Sequence, residues 1–232
     1  MEITIIHGQS HHGSTYNVTS LVKEQLITDD TIIYEFKLPQ DGPLFCIGCF
    51  NCIEKSALMC PHVEKTQLIF EAMIKSQIII IDSPTYCYEM SGQLKTLFDH
   101  YGYMWMPHRP QREMFNKIGI CISTAAGGGA KRVTKSIAKQ LFWWGIPKSY
   151  RLNYTVAASS WENVSDKKKH KINKDVKALA SRINKKVKKV KVSFKTKFIF
   201  SIMRMMQKYN NWNMVDHNHW KDNNWLEKTK PW

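Results

Sequence analysis

The stretch Ile78-Ile79-Ile80-Ile81-Asp82-Ser83-Pro84-Thr85-Tyr86-Cys87-Tyr88-Glu89-Met90-Ser91-Gly92-Gln93-Leu94-Lys95 decides the architecture. Its four opening isoleucines are unbroken by any polar residue, which suits a strand covered on both faces better than one half in water. Pro84 then ends the strand, and helical spacing resumes near Ser91. Ile3–Ile6 and Ile118–Ile122 share the dense β-branched character, and Thr31–Phe36 and Arg151–Ala157 complete a set of five strands with Gln77–Ile81. Between them Thr15–Ile27, Val63–Ser76, Ser91–Tyr101 and Lys131–Trp144 are spaced as helices. In the last, Val133, Ile137, Leu141 and Trp144 recur every three or four residues. Strand–helix alternation predicts an α/β fold, a doubly wound five-stranded parallel sheet with helices on both sides. Periodicity alone leaves other three-layer α/β orders open.

Charge divides the chain in two. Its 34 Lys+Arg and 19 Asp+Glu give a formal net charge of +15, but residues 1–162 hold 15 basic and 14 acidic residues, and residues 163–232 hold 19 and 5. A basic field over the whole protein, of the kind that coats nucleic-acid-binding domains, is excluded. The expected organisation is a near-neutral α/β body (1–162) and a basic helical C-terminal extension (163–232). No run approaches the roughly 18 unbroken apolar residues of a membrane span. Met1–Ile6 has neither the basic start nor the long apolar core of a signal peptide, so the six cysteines are expected as reduced thiols or metal ligands in the cytoplasm.

In a doubly wound sheet, ligands bind beyond the carboxyl ends of the strands. Three loops there are unusual. His7-Gly8-Gln9-Ser10-His11-His12-Gly13-Ser14-Thr15 offers glycines and hydroxyls ahead of a helix, either as a phosphate site or as a plain turn capped by Ser14 or Thr15. It matches neither the Walker nor the dinucleotide pattern. The loop after Ile81 clusters aromatics about Pro84, suited to a flat ligand. The third, Ser123-Thr124-Ala125-Ala126-Gly127-Gly128-Gly129-Ala130, lets backbone approach a ligand closely.

Taken in order, the Ser-rich first loop, Ser-Pro-x-Tyr…Met-Ser-Gly-x-Leu-Lys and Thr-x-x-Gly-Gly resemble the NAD(P)H-dependent FMN reductase family of flavodoxin-like flavoproteins, over roughly residues 1–160. The resemblance implies that Ser10, His12, Ser14 and Thr15 bind the FMN phosphate. It implies that Pro84, Thr85, Tyr86, Cys87 and Tyr88 line the isoalloxazine, and that Thr124, Ala125, Gly127 and Gly128 meet its other edge. His11-His12 stands where relatives often carry Arg or Lys, implying weaker or more pH-dependent phosphate binding. The implied activity passes electrons from NAD(P)H through FMN to a small acceptor such as a flavin or quinone, in a protein that is commonly a dimer. The flavin carries that chemistry, and no catalytic side chain is expected.

Cys46-x2-Cys49-x2-Cys52-x7-Cys60 follows the second strand. The compact triplet has ferredoxin-like spacing and can hold a [4Fe–4S] cluster; zinc fits the spacing less well, and free thiols or a redox-active pair remain open. The motif also resembles the iron–sulfur flavoprotein branch of the same family. A flavin/iron–sulfur electron carrier between proteins is therefore the first rival function.

In the extension, Ile172, Val176, Leu179, Ile183, Val187 and Val190 form one stripe on a helix spanning Asp166–Val192. Phe198, Ile202, Met205 and Met206 recur similarly within Phe194–Lys208, and the last 24 residues show no period. The stripe reads first as docking on the body or a second subunit, then as peripheral contact with an anionic membrane, and last as non-specific nucleic-acid binding. A body that merely tethers such a helix is the second rival function. Asp216…Trp220-Lys221…Asn224-Trp225-Leu226 resembles the ending of longer family members, with Asn224 in place of a glycine.

Overall fold

The computed structural model describes residues 1–187 and 189–232. Strands β1 (Glu2–His7), β2 (Ile32–Lys37), β3 (Ile78–Asp82), β4 (Ile118–Ala125) and β5 (Lys148–Thr155) form one sheet in the order β2-β1-β3-β4-β5. All four pairings are parallel. This is the flavodoxin-like order, whose direction reverses between β1 and β3.

The period of two sends the four isoleucines of β3 both ways. Ile78 and Ile80 join Ile3, Ile5, Ile118, Ile120 and Ile122 in a core closed by Val18 and Val22 of α1 (Ser14–Leu26). Ile79 and Ile81 face Ile69 and Met73 of α3 (Val63–Lys75), Leu94 and Leu97 of α4 (Gly92–His100) and Ile137 and Leu141 of α5 (Ala130–Trp143). The short α2 (Asn51–Glu54) lies in the cysteine segment. The expected fold class is the observed one.

The extension is part of this packing. α6 (Asp166–Asn184) buries Ile172, Val176, Leu179 and Ile183 in the α1 side of the core, so its stripe docks on the body. Four expectations are corrected. The helix stops at Asn184 rather than Val192, where a lysine-rich run without acidic residues begins; of the expected helix, Lys188 lies outside the described residues. Val187 and Val190 still pack against the same core.

In α7 (Phe194–Lys208) the buried face is Thr196, Phe200, Met203 and Gln207, while Phe198, Met205 and Met206 are exposed. Both faces are apolar, so periodicity could not choose between them. Phe200 and Met203 are instead selected by Trp220 and Trp225, which join them with Met106 and Phe115 in a third cluster. A nine-residue helix also forms where the sequence shows no period: α8 (Met214–Asp222) starts with the Asn213 side chain accepting from Asp216 N. Finally, β5 begins at Lys148, three residues earlier than read. After α8, Asn224 takes the left-handed conformation (φ 57°) and Trp225 N donates to Trp220 O at 2.8 Å, so asparagine serves in the glycine's place.

Candidate functional site

Beyond the carboxyl ends of β1, β3 and β4 lies a cavity of about 230 Å³. Its walls are Gln9, His11, Gly13, Ser14, Thr15 and Tyr16 from the first loop, Asp82, Pro84, Thr85 and Tyr86 from the second, and Thr124, Ala125 and Ala126 from the third. Val156, Ala158 and Ser159 close it after β5. Backbone bonds fix the loops to one another. Gly8 N donates to Asp82 O at 2.9 Å, Ser83 N to Ile122 O at 3.0 Å and Thr85 N to Thr124 O at 3.0 Å. The Ser91 hydroxyl caps α4 and also donates to Gly8 O. A Cβ on Gly8 would stand 2.7 Å from Asp82 O, a backbone atom that cannot yield. Only glycine permits this approach.

The cap of α1 is Gly13, with no side-chain cap bond and no acidic residue in the first turn. Ser14 and Thr15 therefore do not cap the helix. Its first-turn N–H groups have no side-chain acceptor, which suits an anion. Thr15 Oγ1 lies 2.7 Å from Thr124 Oγ1, tying the first loop to the third. Gly129, at φ +99°, would place a Cβ 2.7 Å from Thr85 Cγ2, whereas Gly127 faces open space. Between them, Tyr86 and Glu89 exchange two 2.9 Å backbone bonds across Cys87 (φ 49°) and Tyr88 (φ 64°). Two successive non-glycine residues in the left-handed region are strained, and such turns concentrate at ligand sites.

Of the residues singled out in the sequence, Ser14, Thr15, Pro84, Thr85, Tyr86, Thr124 and Ala125 line this cavity. Ser10, His12, Cys87, Tyr88, Gly127 and Gly128 do not. Ser10 bonds to the Gln9 side chain, and His12 stacks on Tyr16 at 4.0 Å with Lys37 Nζ 3.2 Å away. Cys87 and Tyr88 are exposed, with the Tyr88 ring beside Gly128.

Sequence reasoning missed a charged network under the cavity. His7, 2% exposed, places Nδ1 2.5 Å from Asp82 Oδ2 and Nε2 3.0 Å from Glu35 Oε1. Lys23 Nζ meets Glu35 Oε2 at 2.5 Å, and Thr19 donates to Asp82 at 2.7 Å. Burial disfavours the imidazolium, but its bonds to and the charges of Asp82 and Glu35 outweigh this and raise the His7 pKa. Burial likewise acts against the Glu35 carboxylate, yet Lys23 and His7 outweigh it and hold its pKa below the usual value. Parallel register pairs His7 with both Asp82 and Lys37, a neighbourhood that only the strand order reveals.

Cys46, Cys49, Cys52 and Cys60 line a second, smaller cavity with Phe50, His62 and His100. Gly48 (φ +66°) and Phe50 (φ 59°) take the left-handed conformation between the cysteines of this segment. Burial pushes up the Cys52 thiol, and the neighbouring cysteines add to this while Arg109 opposes it. Ligand atoms of Cys60, His62 and His100 lie within 4.8 Å of one another. The loop is fastened from outside: Arg109 donates to Cys52 O and Ile53 O and pairs with the fully buried Asp216 at 2.5 Å. Asn213 also donates to Ile53 O, at 3.2 Å. His217 and His219 of the same helix bond to the carbonyls of Gln207 and Pro110.

The family model described as NADPH-dependent FMN reductase matches residues 1–161. The chain belongs to that family. Among curated family relatives, it is 33% identical over 144 residues to an iron-sulfur flavoprotein of Clostridioides difficile (59% of this chain, 61% of that protein). It is 32% identical over 126 residues to an iron-sulfur flavoprotein of Methanocaldococcus jannaschii (52% and 62%). The chain thus spans less than two thirds of the length of these relatives. Among solved structures, the fold is like that of an FMN-dependent NADH-azoreductase from Bacillus anthracis in complex with FMN (16% identity, TM-score 0.58, 79% of this chain and 99% of that one). It is also like a flavone reductase (13%, TM-score 0.59, 83% and 66%). At these identities the likeness bears on the fold alone. No helix among the described residues is long and apolar enough to cross a membrane.

Proposed function

We propose that residues 1–162 bind FMN in the cavity beyond β1, β3 and β4 and that the protein is an oxidoreductase using NAD(P)H as donor and a small molecule, such as a flavin or quinone, as acceptor. The observation that carries this reading is the uncapped N-terminus of α1 opening into a cavity whose other walls are the second and third loops. Those donors suit a phosphate, and Tyr86, Pro84 and the glycine-rich turn suit a flat ring. Once bound, FMN would supply the acceptance of hydride and its release as electrons. The chain's part is positional. First-turn N–H groups with Ser14 and Thr15 would hold the phosphate, and Thr85 and Thr124, joined backbone to backbone, would fix the mouth. His7 and Lys23 balance the carboxylates of Asp82 and Glu35, so the floor of an anion site does not carry unbalanced negative charge. No side chain is assigned a proton transfer.

A second reading is favoured by the four cysteines that line one small cavity. Cys46, Cys49, Cys52 and Cys60 would hold a [4Fe–4S] cluster, and the cluster would supply one-electron transfer to or from a protein partner; the two curated relatives are named iron-sulfur flavoproteins. The donor set fits: four thiols on one segment, fastened by Arg109. A homodimer and a cytoplasmic setting belong to the same proposal, the latter supported by six free cysteines. Anaerobic purification with a visible spectrum, iron and sulfide analysis, and addition of NAD(P)H tests both readings. Flavin bands bleached by NAD(P)H support the first, and iron with acid-labile sulfide supports the second. A protein that remains colourless after FMN is added contradicts the first.

A further inference from the structure

α7 has a second apolar face that nothing among the described residues covers. Opposite its buried residues, Phe194 (83% exposed), Phe198 (56%), Met205 (58%) and Tyr209 (78%) stand in water. Their steps of 4, 7 and 4 residues place them on one side of the helix. The two phenylalanine rings stack at 6.4 Å, and Trp212, 76% exposed, continues the surface beyond the helix end. Lys197 and Lys208 flank the stripe on one side and Lys195 on the other. Lys195 reaches to within 4.5 Å of the Phe142 ring of α5, where Lys135, Lys139 and Trp143 line the adjoining groove. The charge is one-sided as well: residues 176–215 contain eleven Lys+Arg and no Asp or Glu.

The charge selects the occupant. A second copy meeting this face by two-fold symmetry would bring like charge against like. Nucleic acid would satisfy the lysines but leave aliphatic Met205 and the stacked phenylalanines without a complementary surface. A lipid bilayer with acidic headgroups satisfies both, because an interfacial helix buries its apolar stripe at the acyl boundary while flanking cations meet the phosphates. We propose that the exposed face of α7 docks the protein on anionic membrane surfaces, with the helix lying in the plane of the headgroups.

The test is flotation of the full-length protein with vesicles of phosphatidylcholine alone or mixed with phosphatidylglycerol, at low and high salt. The wild type is expected to float with the mixed vesicles at low salt, and salt is expected to weaken this. Replacing Lys197→Gln and Lys208→Gln should lower partitioning roughly thirtyfold. Phe194→Ser with Phe198→Ser should lower it on either vesicle, and circular dichroism should be unchanged because all four side chains are exposed. Failure of the wild type to float with mixed vesicles overturns the proposal. So does undiminished flotation of both double variants, or equal binding to the two vesicle types. Self-association that disappears in the phenylalanine variant while vesicles remain unbound overturns it in favour of a second copy.

Discussion

The cavity beyond β1, β3 and β4 and the cysteine cavity are held by different parts of the chain. The first is built by strand ends and backbone bonds between loops: Gly8 to Asp82, Ser83 to Ile122, Thr85 to Thr124. The second is a loop with few bonds of its own to the sheet, fastened by Arg109, Asp216 and Asn213, two of them from the C-terminal extension. The extension therefore holds the cysteine loop, while the sheet holds the first cavity. Substitutions that spare one region while damaging the other would sharpen this contrast, and any that damage both alike would break it.

Asp216→Ala should have the largest effect. It leaves the buried Arg109 guanidinium without its anion, at a cost of about 4 kcal/mol in urea unfolding. Iron per chain should drop while FMN per chain persists; a parallel loss of both would erase the distinction. His7→Gln comes next, at about 3 kcal/mol, because it removes the cation shared by Asp82 and Glu35 and leaves the buried Asp82 with only the Thr19 hydroxyl, while Glu35 keeps Lys23. Here FMN affinity should suffer and iron content should not. The sign of the pH dependence follows from the His7 shift. Its pKa is raised in the folded state, so its contribution is complete below the unfolded value near 6.5 and fades as pH rises through the folded value. Glu35, lowered, contributes above its unfolded value and loses this as pH falls through the folded one. Urea midpoints across pH 6 to 9 (roughly the span above the unfolded His value) should fall for the wild type and stay flatter for His7→Gln. Gly129→Ala is smaller, about 1–2 kcal/mol, since it forces a side chain to φ +99° against Thr85. It should also weaken FMN roughly tenfold by shifting the third loop. Arg132→Ala, removing an exposed ion pair with Glu89, should cost no more than about 0.5 kcal/mol and leave both sites intact.

Much of the first region was legible because its signals are local. Four isoleucines in a row, a proline, and glycines between strand and helix each act through the chain's own neighbours, and they located the three loops. Which of the paired histidines lines the cavity is set by loop geometry that residue types do not encode: His11 lines it and His12 stacks on Tyr16. The His7 network was invisible for a different reason. Its members come from β1, β2, β3 and α1, and only the strand order sets them side by side. The clasp on the cysteine loop joins residues more than a hundred positions apart, Arg109 and Asp216. In α7, two apolar faces gave one period with two phases, and the choice fell to Trp220 and Trp225 downstream.

The most direct test of the central claim is a fluorescence titration of the purified, flavin-free protein with FMN and, separately, with riboflavin. The account predicts saturable binding of one FMN per chain, with riboflavin bound far more weakly because it lacks the phosphate that the first turn of α1 would hold. No binding of FMN, or equal affinity for the two, would contradict it.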